Sequence, residues 1–131
     1  MQSYHLWTIA GVVNNGAVGT LVTCTNVNTK PPFVRIGVQV FNAAGAAVND
    51  PSATAVDVGP GGTVAFGTNI FDGLGADSNL AVGSLSRGAA RVLATVRAGI
   101  ICGALLADRL SVPPASMASL TIVKKIVQKG E

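Results

Sequence analysis

The chain has 131 residues, 49% of them hydrophobic and only 11% charged, where about 25% charged is usual for soluble domains. That length suits one domain with a buried core, so residues 1–131 are read as a single unit. Nine basic and six acidic residues leave a net charge of +3, and aromatics make up 5%; without a basic stripe interleaved with aromatics, nucleic acid is not an expected partner, and with no apolar run near the ~20 residues of a spanning helix, neither is a membrane span.

Taken in chain order, the pattern alternates with period two and is broken repeatedly by turn residues, which predicts strands. Residues 4–13 form the first, and Asn14-Asn15-Gly16 offers the Asn-Gly pair of a tight hairpin. Residues 18–27 form the second, ended by Pro31-Pro32. Residues 33–41 alternate most cleanly, with Val34, Ile36, Val38 and Val40 opposite Arg35 and Gln39. Asn42 to Gly45 and Asn49-Asp50-Pro51 are breaks, and strands 53–58 and 63–68 flank the turn Gly59-Pro60-Gly61-Gly62. Residues 69–79 are the longest irregular stretch. A short strand over 80–85 follows, then strands 89–97 and 99–108 turning at Ala98-Gly99. A loop carries Pro113-Pro114, a last strand covers 117–127, and 128–131 is a polar tail beside Lys124, Lys125 and Lys129. Roughly seven to nine short strands with frequent turns predict an all-β fold, a small antiparallel β-sandwich.

Cys24 and Cys102 fall in mid-strand, Cys24 sharing a face with Val22 and Asn26, Cys102 with Ile100 and Ala104. The preferred reading is a disulfide bridging the two sheets; the competing one is two separately buried thiols acting as small hydrophobes. A chain with two cysteines paired this way suits a secreted or periplasmic protein. No basic-then-apolar leader precedes Tyr4, so an exported form would have lost it. An immunoglobulin assignment is not made: Trp7 precedes both cysteines, and Ile100 stands where that family places a tyrosine.

The stretch Thr23, Cys24, Asn26, the strand Val34, Ile36, Val38, the corner Val58, Pro60, Thr63 and a late strand holding Cys102 before Asp108 resemble the sensory rhodopsin transducer-like β-sandwiches. The resemblance implies a compact oligomer with a binding role. It brings no site residues with it.

Catalytic groups are sparse. His5 is the only histidine and the acids are dispersed, which argues against metal binding. Gly83 to Gly88 lacks the nucleophile-elbow pattern, and Asp57 and Asp108 read as outward-facing or turn-capping acids rather than a glycosidase pair. No cofactor is expected. The expected role is therefore non-catalytic: self-association into a homo-oligomer, or docking to another surface protein, through strand edges such as 4–13 or 117–127. The alternative is a module for a carbohydrate or other small polar ligand, using Asn69, Phe71, Asp72, Asp77 and Asn79, with Trp7 or Tyr4 as a stacking platform. An enzyme using an anion-binding row of Arg87, Arg91 and Arg97, the last two on one strand face, is the third reading.

Overall fold

The computed structural model describes residues 3–30, 32–114 and 116–124; Lys125, Lys129, the end of the predicted last strand and the polar tail lie outside them. Among these residues ten strands and one helical turn follow in order: β1 Tyr4–Asn14, β2 Val18–Asn26, β3 Val34–Phe41, α1 Pro51–Thr54, β4 Val56–Val58, β5 Thr63–Gly67, β6 Ser78–Asn79, β7 Leu85–Ala94, β8 Ile100–Asp108, β9 Met117–Ser119 and β10 Ile122–Lys124. They form two five-stranded sheets, β10-β1-β7-β3-β4 and β6-β5-β2-β8-β9. Every pairing is antiparallel except β5 with β6.

Alternation explains how the layers meet. In β3 the even positions Val34, Ile36, Val38 and Val40 are fully buried, and β7 opposes them with Ala90, Val92 and Ala94. The second sheet answers with Val22 and Cys24 from β2, Val64 and Phe66 from β5, and Ile100 from β8. Each fully buried valine or phenylalanine contributes about 1.5–3 kcal/mol relative to exposure, so this shared interior holds the layers together.

Several expectations are corrected. The Asn14–Gly16 turn joins no hairpin, because β1 and β2 lie in different sheets. Neither Asn15 nor Gly16 has positive φ; instead Asn15 Oδ1 accepts from the backbone N–H of Ala17 (3.0 Å) and Val18 (2.8 Å). The strand expected over 53–58 is shortened by α1. Asp50 caps that turn by accepting from Ser52 N–H (3.0 Å), and Pro51 has the fixed φ suited to a first helical position. Residues 80–84 are not a strand: Ala81 has φ 52° and Gly83 φ 74°, left-handed values that strands do not tolerate. The expected strand 89–97 is shifted to Leu85–Ala94. Gly88 lets it pass close to β3, since a Cβ there would sit 2.7 Å from the Phe41 carbonyl oxygen. The expected last strand is split, β9 pairing with β8 and β10 with β1, so the chain changes sheets at Leu120-Thr121.

The disulfide forms, but within one sheet. Cys24 and Cys102 are directly opposed neighbours in the β2–β8 ladder. Their Cα atoms are 4.1 Å apart, as in the close, non-hydrogen-bonded type of antiparallel pair. Cys24 is fully buried and Cys102 packs against the same core. The bridge therefore clamps two strands already paired rather than joining the layers. It still closes a long loop, with a separation of 78 residues. Replacing both cysteines by alanine is expected to cost about 2–4 kcal/mol in urea denaturation with an unchanged far-ultraviolet spectrum; a loss below about 1 kcal/mol would show that strand pairing alone sets the stability.

Candidate functional site

The residues expected to form a binding loop separate in the fold. Phe71 is only 7% exposed and packs with Leu21 and Ala107 on the outer face of the second sheet. Its Cζ would lie 3.0 Å from any Cβ added at Gly19. It is an anchor for the loop and has no free face for stacking. Asp77 accepts from Ala65 N–H through Oδ2 (2.8 Å) and donates its own N–H to the Ala65 carbonyl (2.8 Å), filling the place of a strand partner along β5. Asp72 lies on the surface, its N–H donating to the Arg109 carbonyl (2.7 Å).

Asn69 and Asn79 do converge. With Asn14, Asn15, Thr68 and Ser84 they line an open, uncharged depression of about 400 Å³. Most of its amides serve the fold: Asn69 Nδ2 donates to Asn14 Oδ1 (3.3 Å), Asn14 Nδ2 to the Gly83 carbonyl (2.7 Å), and Asn79 Oδ1 accepts from Ala81 N–H (2.9 Å). Tyr4 and Trp7 start β1, at the opposite end of that strand from Asn14, so they form no platform beside this loop.

The arginine row is not formed. Arg91 sits on the outer face of the first sheet, donating from Nε to Gln39 Oε1 (2.8 Å) with its guanidinium 5.5 Å from the Phe41 ring centroid. Arg97 lies beyond the end of β7, in the turn to β8, 5.2 Å over the Tyr4 ring. Arg87 is exposed on β7. His5 is buried, with Nε2 3.1 Å from the Trp7 carbonyl oxygen and 3.0 Å from Thr8 Oγ1. Among the described residues no three His, Cys, Asp or Glu side chains gather as a metal site would require, and no helix is long and apolar enough to cross a membrane. Asp108 caps the turn after β8, accepting from Leu110 N–H (3.0 Å) and Ser111 Oγ (2.6 Å).

The more distinctive surface is one that sequence reasoning placed elsewhere. Of the segments expected as pairing edges, 117–127 does supply two edge strands, β9 and β10, whereas Trp7–Ile9 of 4–13 is held between β10 and β7. Among the described residues the edge strands β4, β6, β9 and β10 span only two or three residues each, too short to recruit a neighbour efficiently. The outer face of the second sheet is another matter. Unbroken register from Val18↔Asp108 to Asn26↔Ile100 turns the odd positions outward: Thr23 and Thr25 from β2, Ile101, Gly103 and Leu105 from β8. Thr63 and Ala65 of β5 and Met117 and Ser119 of β9 extend these rows. Ile101 and Met117 are each 59% exposed, and none of these nine side chains ionises. The first sheet's outer face, by contrast, holds Arg91 and the Arg35–Asp57 ion pair (3.2 Å). The low charge count was the available signal; its concentration on one sheet required the register.

Comparison with family models, curated proteins and solved structures gave no match for this chain.

Asp77→Ala is expected to lower stability by about 1–3 kcal/mol, because the Ala65 N–H of β5 loses its carboxylate acceptor. Urea denaturation checks this, and an unchanged midpoint would contradict the strand-mimicking role.

Proposed function

We propose that the protein is a non-catalytic, exported β-sandwich that works as an assembly module, a second copy of the chain docking face to face on its second sheet. The observation that carries this reading is the outer face centred on Thr23, Thr25 and Gly103, whose residues carry no charge, bordered by exposed Ile101 and Met117 and, at the β5 edge, by Asp77. Two such faces meet with no charged side chain at their centre to desolvate, the costliest term when surfaces are buried. Because a two-fold contact applies one patch to itself, a neutral patch is self-compatible in a way that the first sheet, with Arg91 and its arginine–aspartate pair, is not. The Cys24–Cys102 bridge supports an oxidising, extracytoplasmic setting.

Gly103 supplies the direct test. A Cβ at this position meets nothing within 4 Å, and its φ is not positive, so a side chain is accommodated without strain. Gly103→Arg is expected to leave the thermal midpoint within a few degrees of the parent while converting an oligomer to monomer in sedimentation velocity. An oligomer that persists with arginine at this position would overturn the proposed interface.

A further inference from the structure

A second feature lies on the flank of the sandwich, where β1 and β10 of one sheet approach the start of β8 in the other. The register of β1 against β7 shifts between His5 and Trp7, a bulge of the kind that re-aims a side chain. Leu6 stays buried, and the indole of Trp7 reaches across to the second sheet, donating from Nε1 to the Ile100 carbonyl (3.0 Å). Above it the β7–β8 turn is fixed by Gly99, whose φ is 81°, and by Asn28, which donates from Nδ2 to the Ala98 carbonyl (3.0 Å). That turn presents Arg97, braced over the Tyr4 ring. From the other side comes Lys124, the ladder partner of Trp7.

Between them is a cavity of about 240 Å³, lined by Leu6, Trp7, Arg97, Gly99, Ile100 and Lys124 among others. It is thus an apolar and aromatic slot with two cations at its mouth. Among the described residues no acidic side chain lines it, and neither Arg97 nor Lys124 makes an ion pair. The chain's single tryptophan and single tyrosine are both spent here. Ligand sites are usually concave, largely apolar, and oriented by a few polar groups, and two cations with no acidic partner among the described residues, beside an indole, select one class of occupant.

We infer that this pocket binds a small organic anion with a flat apolar body, an aryl carboxylate being the simplest example. The ring lies against Trp7, Leu6 and Ile100, and the carboxylate accepts charge-assisted hydrogen bonds from Arg97 and Lys124. A volume below the about 300–1,000 Å³ of drug-sized sites admits a single ring rather than a fused system. The inference is separable from the proposed assembly: Gly103, Thr23 and Ala65 do not line the pocket, although Ile101, at the border of the proposed interface, does.

Trp7 is its own reporter, since no other tryptophan contributes to emission. Titrating the intact protein with benzoate is expected to change its fluorescence saturably, whereas benzamide, which lacks the charge, and acetate, which lacks the ring, leave it unchanged at equal concentration. Arg97→Ala and Lys124→Ala are each expected to weaken benzoate binding about tenfold, the loss of one hydrogen bond to a charged group. Both residues are exposed, and an unchanged far-ultraviolet spectrum establishes that the variants fold. Gly103→Arg is expected to bind benzoate as the parent does, so failure of the assembly reading is distinguishable from failure of this one. Absence of a saturable response to benzoate, an equal response to benzamide, or undiminished binding by the two variants would each overturn the inference.

Discussion

The pairing of β2 with β8 is the constraint on which the rest of the molecule depends. Nine consecutive residue pairs run without a bulge, and in a strand every side chain's destination follows from parity. Even positions send Val22, Cys24 and Asn26 inward, with Ile100 and Cys102 opposite them. Odd positions send Thr23, Thr25, Ile101, Gly103 and Leu105 outward. A slip of one residue would bury the threonines, expose the valine, and move the two sulfurs out of opposition. The disulfide therefore reinforces the same register that creates the neutral outer face.

Around this ladder the layers are tied by polar side chains placed at its ends. Asn26 is fully buried at one end, donating from Nδ2 to the Val58 carbonyl in the other sheet (2.9 Å) and accepting from Asn28. Thr20, also fully buried, exchanges hydrogen bonds with both backbone groups of Val13 at the other end. Buried polar groups are costly unless satisfied, so these contacts fix the relation of the sheets as well as joining them. Asn28 passes the arrangement on to the β7–β8 turn and hence to Arg97, linking the core's geometry to the flank pocket. The first sheet closes its own outer face differently: α1 lies over Gly37, where a Cβ would come 2.9 Å from the Pro51 carbonyl oxygen.

The sandwich itself was legible because alternation is a local property. Val34 to Val40 declare their buried face without reference to any other segment, and the cysteines, Val22 and Asn26 are assigned to one face by parity alone. Sheet membership was not legible, because it depends on partners distant in sequence. Asn14-Asn15-Gly16 has hairpin composition, yet it passes the chain between layers, and Cys24 meets Cys102 within a layer for the same reason. The residues 69–79 were singled out for their composition, but Phe71 and Asp77 are consumed by anchoring the loop to the sheet beneath. The Trp7 pocket was hidden for a related cause. It needs a bulge in β1, a turn some ninety residues later and a strand at the far end of the chain, and no local motif encodes their meeting.

If the neutral face of the second sheet is the assembly surface, its contacts are apolar burial rather than ion pairing, and salt distinguishes the two. Sedimentation equilibrium of the unaltered protein at about 0.05 M and about 1 M sodium chloride tests this directly, because attraction between exposed charges is largely screened at the higher value. The expected result is an association constant that holds or rises with salt. A chain that remains monomeric at every concentration, or an association that collapses at high salt, would contradict the account, the latter moving the contact to a charged surface such as that of Arg91 and the Arg35–Asp57 pair.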